Sequence, residues 1–161
     1  MIRPVTSADA ASIAAIYNHY VRNTIVTFEE VPVAVDEMAR RIAETTTSYP
    51  WFVSEDDGKL QGYAYASSWK RRSAYRLAAE STVYLAPEAV GRGLGRPLYG
   101  TLIAEMRSRG LHCAIAGISL PNPASVAIHE KMGFAPIGRF REVGWKLGRW
   151  VDVGYWELIL R

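Results

Sequence analysis

The feature that most constrains the fold is a short glycine-rich loop between a predicted strand and a predicted helix. Residues 80–86 (Glu-Ser-Thr-Val-Tyr-Leu-Ala) are rich in strand-forming types and stop at Pro87. Residues 90–96 then read Val-Gly-Arg-Gly-Leu-Gly-Arg, and large apolar side chains recur every four residues from Leu94 to Met106. Because glycines let the backbone turn sharply between the two elements, this pattern indicates an α/β protein.

The rest of the chain alternates in the same way. Ser7 is a plausible N-cap of the first helix, Asn122 caps the last one, and the Asp57-Gly58 turn predicts an antiparallel hairpin. The order of elements predicts one domain over residues 1–161, a three-layer α/β/α sandwich around a mixed central sheet. We expect strands at residues 2–5, 51–54, 60–67, 80–86, 113–118, 136–143 and 150–160, and helices at residues 9–22, 35–46, 94–109 and 123–132.

Composition excludes several classes of protein. The chain has 161 residues and a net charge of +3, a surplus too small to require a nucleic-acid partner. No apolar run approaches the ~20 residues of a membrane span, and the N-terminus does not resemble a signal peptide. Cys113 is the only cysteine, so no internal disulfide can form and a reducing cytoplasm is expected.

The glycine loop has the chemistry of an anion site. Its glycines allow close approach of a ligand to the backbone, and the N–H groups at the start of the following helix attract negative charge. Arg92 and Arg96 flank the same point, which favours a phosphate or pyrophosphate. The alternative is a tight turn whose glycines only solve geometry. A Walker A loop is excluded because Gly95-Arg96-Pro97 replaces Gly-Lys-Ser/Thr, and no acidic residue of a dinucleotide fold ends the strand at 113–118.

These residues resemble the GNAT superfamily of N-acetyltransferases over essentially the whole chain. The glycine loop is similar to the family's pyrophosphate loop, and residues 122–134 are similar to its Asn…(Tyr/His)-Glu-Lys-x-Gly-Phe segment. The blocks at 18–20, 49–51, 80–84, 117–122 and 148–154 look like the branch that acetylates phosphinothricin, methionine sulfoximine or methionine sulfone. One departure is Val90, where the superfamily usually carries Arg or Gln.

The resemblance implies acetyl-CoA as co-substrate. No metal is expected, because the three histidines and the single cysteine lack metal-ligand spacing. Backbone groups of β-strand residues would pair with pantetheine, and the glycine loop would hold the pyrophosphate. The residues that the resemblance assigns to the coenzyme are Val83, Tyr84, Leu85, Gly91, Arg92, Gly93, Leu94, Gly95, Arg96, Asn122 and Lys131.

Two residues are candidates for proton transfer. An ammonium acceptor must lose a proton before it attacks a thioester, and the resemblance assigns the general base to Glu80. The alternative is an exposed carboxylate or the partner of a nearby arginine. His129 lies where many family members carry a tyrosine that protonates the leaving thiolate; acid, base and simple packing all remain open for it.

A basic, aromatic segment precedes the Glu80 strand and suggests an anionic acceptor. Residues 69–76 hold four cations, and arginine can bind a carboxylate through two hydrogen bonds. The alternative is a solvated basic loop. The resemblance implies a small amino acid with a tetrahedral polar side-chain terminus, and a homodimer. The residues it assigns to the acceptor pocket are Phe28, Arg72, Tyr75, Arg76 and Val153.

Other functions remain as alternatives. The same fold acetylates other amines, but polycationic acceptors favour an acidic pocket, and this loop is basic. A non-catalytic module that only binds acetyl-CoA is a second alternative, which the presence of both Glu80 and His129 disfavours. A nucleic-acid-binding domain is disfavoured because no stacking motif recurs beside the arginines.

Overall fold

The computed structural model describes all 161 residues, and its elements follow the predicted order. The seven strands are β1 (Ile2–Pro4), β2 (Trp51–Asp56), β3 (Lys59–Ser68), β4 (Ala78–Leu85), β5 (Cys113–Leu120), β6 (Ala135–Lys146) and β7 (Arg149–Ile159). The four α-helices are α1 (Ala10–Asn23), α2 (Val35–Thr46), α3 (Gly95–Ser108) and α4 (Pro123–Lys131).

The strands form one sheet in the order β1-β2-β3-β4-β5-β7-β6. Only β4 and β5 are parallel, so the sheet is mixed, as predicted. One apolar core lies beneath α1 and α2 and contains Ile13, Trp51 and Tyr63, while the other lies beneath α3 and contains Leu98 and Ala116. The two cores on opposite faces confirm the three-layer sandwich.

Some boundaries differ from the prediction for local reasons. Residues 7–9 form a 3-10 turn, and Ser7 does not cap α1; instead the Asp9 carboxylate accepts hydrogen bonds from the Thr6 amide (2.7 Å) and hydroxyl (3.0 Å). The last hairpin is longer than predicted, because Leu147 and Gly148 form its tight turn with positive φ angles. The predicted cap of α4 is confirmed, since the Asn122 side chain accepts from the Ser125 amide (3.2 Å).

The sheet opens at its centre. The pairing of β4 with β5 covers only Ala78–Glu80 on one strand and residues 113–115 on the other, while the opposite edge of β5 pairs with β7 over residues 113–120. From residue 81 to the end of β4, the edge that faces β5 has no strand partner. We call the resulting wedge between residues 81–85 and 116–120 the β4–β5 gap.

Candidate active site

The backbone of β4 offers hydrogen-bonding groups to the β4–β5 gap. Ala86 donates to the Gln61 carbonyl of the β3 side (2.8 Å), and the β3–β4 register is regular from there to Ala79. Because pairing alternates along an antiparallel strand, the N–H and C=O groups of Val83 and the N–H of Leu85 face the gap. The Leu85 carbonyl instead accepts a hydrogen bond from the Tyr20 hydroxyl of α1 (2.7 Å). The backbone groups of Tyr84 face β3, so of the three predicted backbone contacts two are turned toward the gap.

Side chains of β4 alternate between the two faces of the sheet. Tyr84 packs against Tyr17 of α1 with ring centroids 5.5 Å apart, so residues 80, 82 and 84 point to the α1–α2 face. Ser81 shares a buried hydrogen bond with the Tyr99 hydroxyl of α3 (2.7 Å) and therefore points to the opposite face. The gap thus lies between two differently equipped surfaces.

Glu80 lies at the point where the gap begins, and it is half-buried. Its Oε1 is 3.6 Å from where a Cβ at Gly117 would lie, and the Tyr155 ring is 3.2 Å from the same position. No hydrogen bond or ion pair within the chain reaches this carboxylate. Burial alone raises its pKa above the ordinary glutamate value. The arrangement is suited to a group that accepts a proton from a ligand near neutral pH.

His129 is a buried residue on the α3–α4 side. Its ring packs edge-to-face on Tyr99 (5.1 Å) and Phe134 (5.2 Å), so aromatic side chains enclose it. Nδ1 lies 2.7 Å from the Ser125 carbonyl and donates to it, while the buried Nε2 has no partner. Burial lowers the pKa of this imidazole, which favours a neutral ring with a free Nε2 lone pair.

The glycine loop has the geometry of an anion cradle. Gly91 (φ 81°) and Gly93 (φ 77°) adopt conformations that favour glycine, and nothing within 4 Å would contact a Cβ on either. Gly95 begins α3 and allows close packing, since its Cβ would lie 3.0 Å from Ile128 Cδ1. The first amides of α3 have no partner within the helix, so they are available to an anion. Leu94 precedes the first residue of α3.

The two arginines of this loop differ. Arg92 donates to the Gln61 side-chain oxygen (3.1 Å) and lies 3.6 Å from the Asp56 carboxylate, so it is tied to the β2–β3 hairpin. Arg96 makes no ion pair within the chain and remains available at the helix start. Asn122 serves as the cap of α4, and Lys131 closes that helix without an ion-pair partner.

The basic segment at 69–76 is almost devoid of internal partners. None of its four cations forms a salt bridge, and Arg76 makes only a long hydrogen bond to the Ser73 carbonyl (3.4 Å). The Lys70 ammonium lies over the rings of Trp69 (5.4 Å) and Tyr75 (5.9 Å). A cavity of about 410 Å³ is lined by Lys70, Arg71, Arg72 and Tyr75. The segment therefore presents uncompensated positive charge.

Trp69 links this segment to the Glu80 site. Its ring packs against Tyr155 (5.6 Å), and Tyr155 also contacts Phe140 (5.8 Å). Val153 of β7 pairs with Phe140 of β6, and it lies two residues before Tyr155 on the same face of β7. Sequence reasoning missed Tyr155, because an aromatic residue in a terminal strand carries no signal of its position beside Glu80.

Phe28 lies in the loop between α1 and α2, and it packs against a glycine far along the chain. A Cβ at Gly144 would overlap the Phe28 ring. The neighbouring Thr27 carbonyl accepts a hydrogen bond from the buried Lys146 ammonium (2.6 Å). Sequence reasoning also missed Lys146, since a lysine near a turn ordinarily lies in solvent.

The structure contains neither a cluster of metal-ligating side chains nor a membrane-spanning helix. No group of three or more His, Cys, Asp or Glu side chains is arranged to hold a metal ion. None of the helices combines the length and hydropathy that crossing a bilayer requires.

Comparison with known proteins gives consistent matches over the chain. Residues 2–154 match the model of the acetyltransferase (GNAT) domain. The chain is 40% identical to the phosphinothricin N-acetyltransferase of Streptomyces viridochromogenes, covering 97% of this chain and 85% of that protein. It is 38% identical to the L-methionine sulfoximine/L-methionine sulfone acetyltransferase of Salmonella typhimurium, covering 99% and 94%.

A solved structure has the same fold. The phosphinothricin acetyltransferase of Sinorhizobium meliloti, solved in complex with acetyl-CoA, matches with a TM-score of 0.96 and 38% identity, covering 99% of this chain and 87% of that one.

Proposed function

This chain belongs to the GNAT acetyltransferase family, and we propose that it acetylates the amino group of a small amino acid with a tetrahedral polar side-chain terminus. The relatives named for phosphinothricin and for methionine sulfoximine or sulfone support this acceptor class. The observation that carries the proposal is the Glu80 carboxylate, which is half-buried, unpartnered and beside the gap.

Acetyl-CoA fits the β4–β5 gap on the features of this chain. The free N–H and C=O groups of Val83 and the N–H of Leu85 can pair with the pantetheine amides as an added strand would, while the Leu85 carbonyl is already bonded to the Tyr20 hydroxyl. Gly91, Gly93 and the start of α3 can hold the pyrophosphate, with Arg96 as the unpaired cation. The coenzyme supplies the thioester, and the residues described above bind and orient it.

Glu80 acts as the general base in this proposal. It removes a proton from the acceptor ammonium, and the resulting amine attacks the thioester carbonyl carbon. The attacking nitrogen still carries a proton to lose, which passes to the thiolate as the tetrahedral intermediate collapses and the C–S bond breaks, while Glu80 releases its own proton to solvent. A backbone N–H at the gap edge stabilises the intermediate's oxygen. The raised pKa of Glu80 brings its basicity closer to neutral pH.

His129 has a different part. A neutral imidazole whose Nδ1 donates to Ser125 holds no proton on Nε2, so it is poorly prepared to protonate a thiolate. We assign His129 to the coenzyme side of the gap, where its Nε2 can accept a hydrogen bond. Glu80 takes the proton from the amino group of the amino-acid substrate.

The acceptor's anionic groups would lie against the basic segment. Arg72 and Arg76 lack carboxylate partners, and Trp69 connects the segment to Tyr155 next to Glu80. Guanidinium groups bind carboxylate and phosphinate oxygens through paired hydrogen bonds. Tyr75, Phe28 and Val153 complete the proposed pocket.

A thiol-release assay with acetyl-CoA tests the function. The panel contains phosphinothricin, methionine sulfoximine, methionine sulfone, ordinary amino acids, a polyamine and an aminoglycoside. We expect turnover on the tetrahedral analogues and none on the polycations. Turnover confined to the polyamine or aminoglycoside would refute the acceptor class, and acetyl-CoA binding without turnover on any amine would favour a non-catalytic module.

We also propose a homodimer in a reducing cytoplasm, where Cys113 stays a free thiol. β6 is an edge strand, and exposed apolar side chains on such an edge are typical of an interface. Sedimentation of the W145K/W150K double variant tests this surface: wild type should sediment as a dimer and the variant as a monomer. The exposed apolar side chains of this proposed interface, each more than half exposed, are Ile137, Phe140, Val143, Trp145, Leu147 and Trp150.

A further inference from the structure

A buried lysine holds the loop between α1 and α2 against the distant strand β6. Lys146 is only 2% exposed, and its Nζ donates to the Thr27 carbonyl at 2.6 Å. It forms no salt bridge, and burial lowers the pKa of the ammonium while Glu30 and Glu29 oppose this. Burying an ammonium without a paired carboxylate costs stability, so the position calls for an explanation other than stability.

Other contacts secure the same loop. The Phe28 ring covers Gly144, two residues before Lys146, where no side chain would fit. Tyr17, in the middle of α1, shares a hydrogen bond between its hydroxyl and that of Thr27 (2.7 Å). The loop is thereby fixed to α1 on one side and to β6 on the other.

This loop reaches the same face of the sheet as Glu80. Tyr17, which bonds Thr27, packs on Tyr84, four residues after Glu80 on β4. β6 approaches Glu80 from the opposite direction, because Phe140 packs on Tyr155, whose ring lies beside the Glu80 carboxylate over Gly117. The loop and β6 therefore meet across the face on which the acceptor would bind.

We propose that Lys146 is a positioning residue that fixes residues 24–34 against β6 and so places Phe28 along the acceptor site. The inference rests on the proposed function for its acceptor, and it predicts that Lys146 controls acceptor affinity without contacting the acceptor. The polar tether costs burial energy, whereas an apolar residue there would leave the Thr27 carbonyl without a partner.

Matched substitutions test the tether. Lys146→Met keeps the apolar stem but removes the donor, and it should raise the acceptor KM about tenfold or more with the acetyl-CoA KM within about twofold. Lys146→Arg keeps a charged donor and should recover part of the loss. Equal acceptor KM values for Lys146→Met and wild type, or equal rises in both KM values, would overturn the proposal.

A double-mutant cycle separates positioning from general stability. If Lys146 acts through Phe28, Lys146→Met combined with Phe28→Ala should raise the acceptor KM hardly more than Phe28→Ala alone. Independent, multiplying effects would contradict the inference. If Lys146→Met does not fold, Gly144→Ala displaces the Phe28 ring without touching the lysine and should give the same selective rise in acceptor KM.

Hydrogen exchange provides a readout that does not depend on activity. Amides of residues 24–34 should exchange faster in folded Lys146→Met than in wild type, while those of α3 keep their protection. Faster exchange in an enzyme with no amino-acid turnover would refute the proposed function and leave the tether standing. Unchanged exchange would refute the tether itself.

Discussion

The two faces of β4 differ in how their polar side chains are satisfied. Ser81 on the α3–α4 face shares a buried hydrogen bond with Tyr99, and its hydroxyl also lies 3.4 Å from the Ile115 carbonyl across the start of the gap. Glu80, one residue earlier, points to the α1–α2 face and has no partner. A carboxylate left unpaired beside an opening is maintained at a cost, which is the pattern of a functional group.

The same contrast extends to the cations. Of the two arginines on the glycine loop, Arg92 is tied to Gln61 and Asp56 and only Arg96 lacks a carboxylate partner, whereas neither Arg72 nor Arg76 before β4 has one. In the proposed function, backbone amides would make most of the coenzyme contacts, so the side chains there can stabilise the fold. Acceptor binding would depend on side chains, which have no carboxylate partners within the chain.

The largest expected effect comes from Glu80→Gln. Removal of the base should lower kcat by about 10²–10⁴-fold at neutral pH while the acetyl-CoA KM changes little. In wild type, kcat/KM should fall as pH drops through the pKa of Glu80, which burial places above the usual glutamate range. Steady-state kinetics from pH 5 to 9 measure both.

Glu105→Gln is the matched control, because Glu105 pairs with Arg109 on the surface of α3. It should keep wild-type kcat. Near-normal turnover of folded Glu80→Gln would erase the proposed difference between the two faces.

A smaller effect is expected from Arg76→Ala. Loss of one unpaired guanidinium should raise the acceptor KM about 10- to 150-fold, since hydrogen bonds to charged groups contribute about 1.5–3 kcal/mol, and leave the acetyl-CoA KM unchanged. Arg107→Ala, an exposed arginine without an ion pair on α3, is the control. An increase in the acetyl-CoA KM alone would show that Arg76 contacts acetyl-CoA and not the acceptor, which would contradict the proposal.

The smallest effect on kcat is expected from a substitution on the α3–α4 face of β4. Tyr99→Phe removes the buried bond to Ser81 and should reduce the free energy of unfolding by about 1 kcal/mol, with kcat within a few-fold of wild type. Urea denaturation and kinetics on the same preparation measure this. A loss of kcat comparable to that of Glu80→Gln would show that the α3–α4 face of β4 also carries catalytic side chains.

Much of the fold follows from local patterns. Leu94 to Met106 at helical spacing, Asp57-Gly58 between strand patterns and Asn122-Pro123 before a helix each specify structure through neighbours a few residues away. The exceptions are also local. Before the first helix, the Asp9 carboxylate and not the Ser7 side chain makes the hydrogen bonds, which it accepts from Thr6. A two-residue turn at Leu147-Gly148 lengthens the last hairpin.

For the candidate site, the sequence could supply a set of candidate positions but not their spatial arrangement. The sequence alone determined the order of elements, the glycine loop and the resemblance that singles out Glu80 and the basic segment. Only the tertiary structure decided that Glu80 lacks a partner, that Arg92 is already engaged and that Lys146 is buried against Thr27, 119 residues away. Such pairings depend on how the layers pack, because burial and distant contacts are properties of the assembled sheet and helices and leave no periodic signal along the chain.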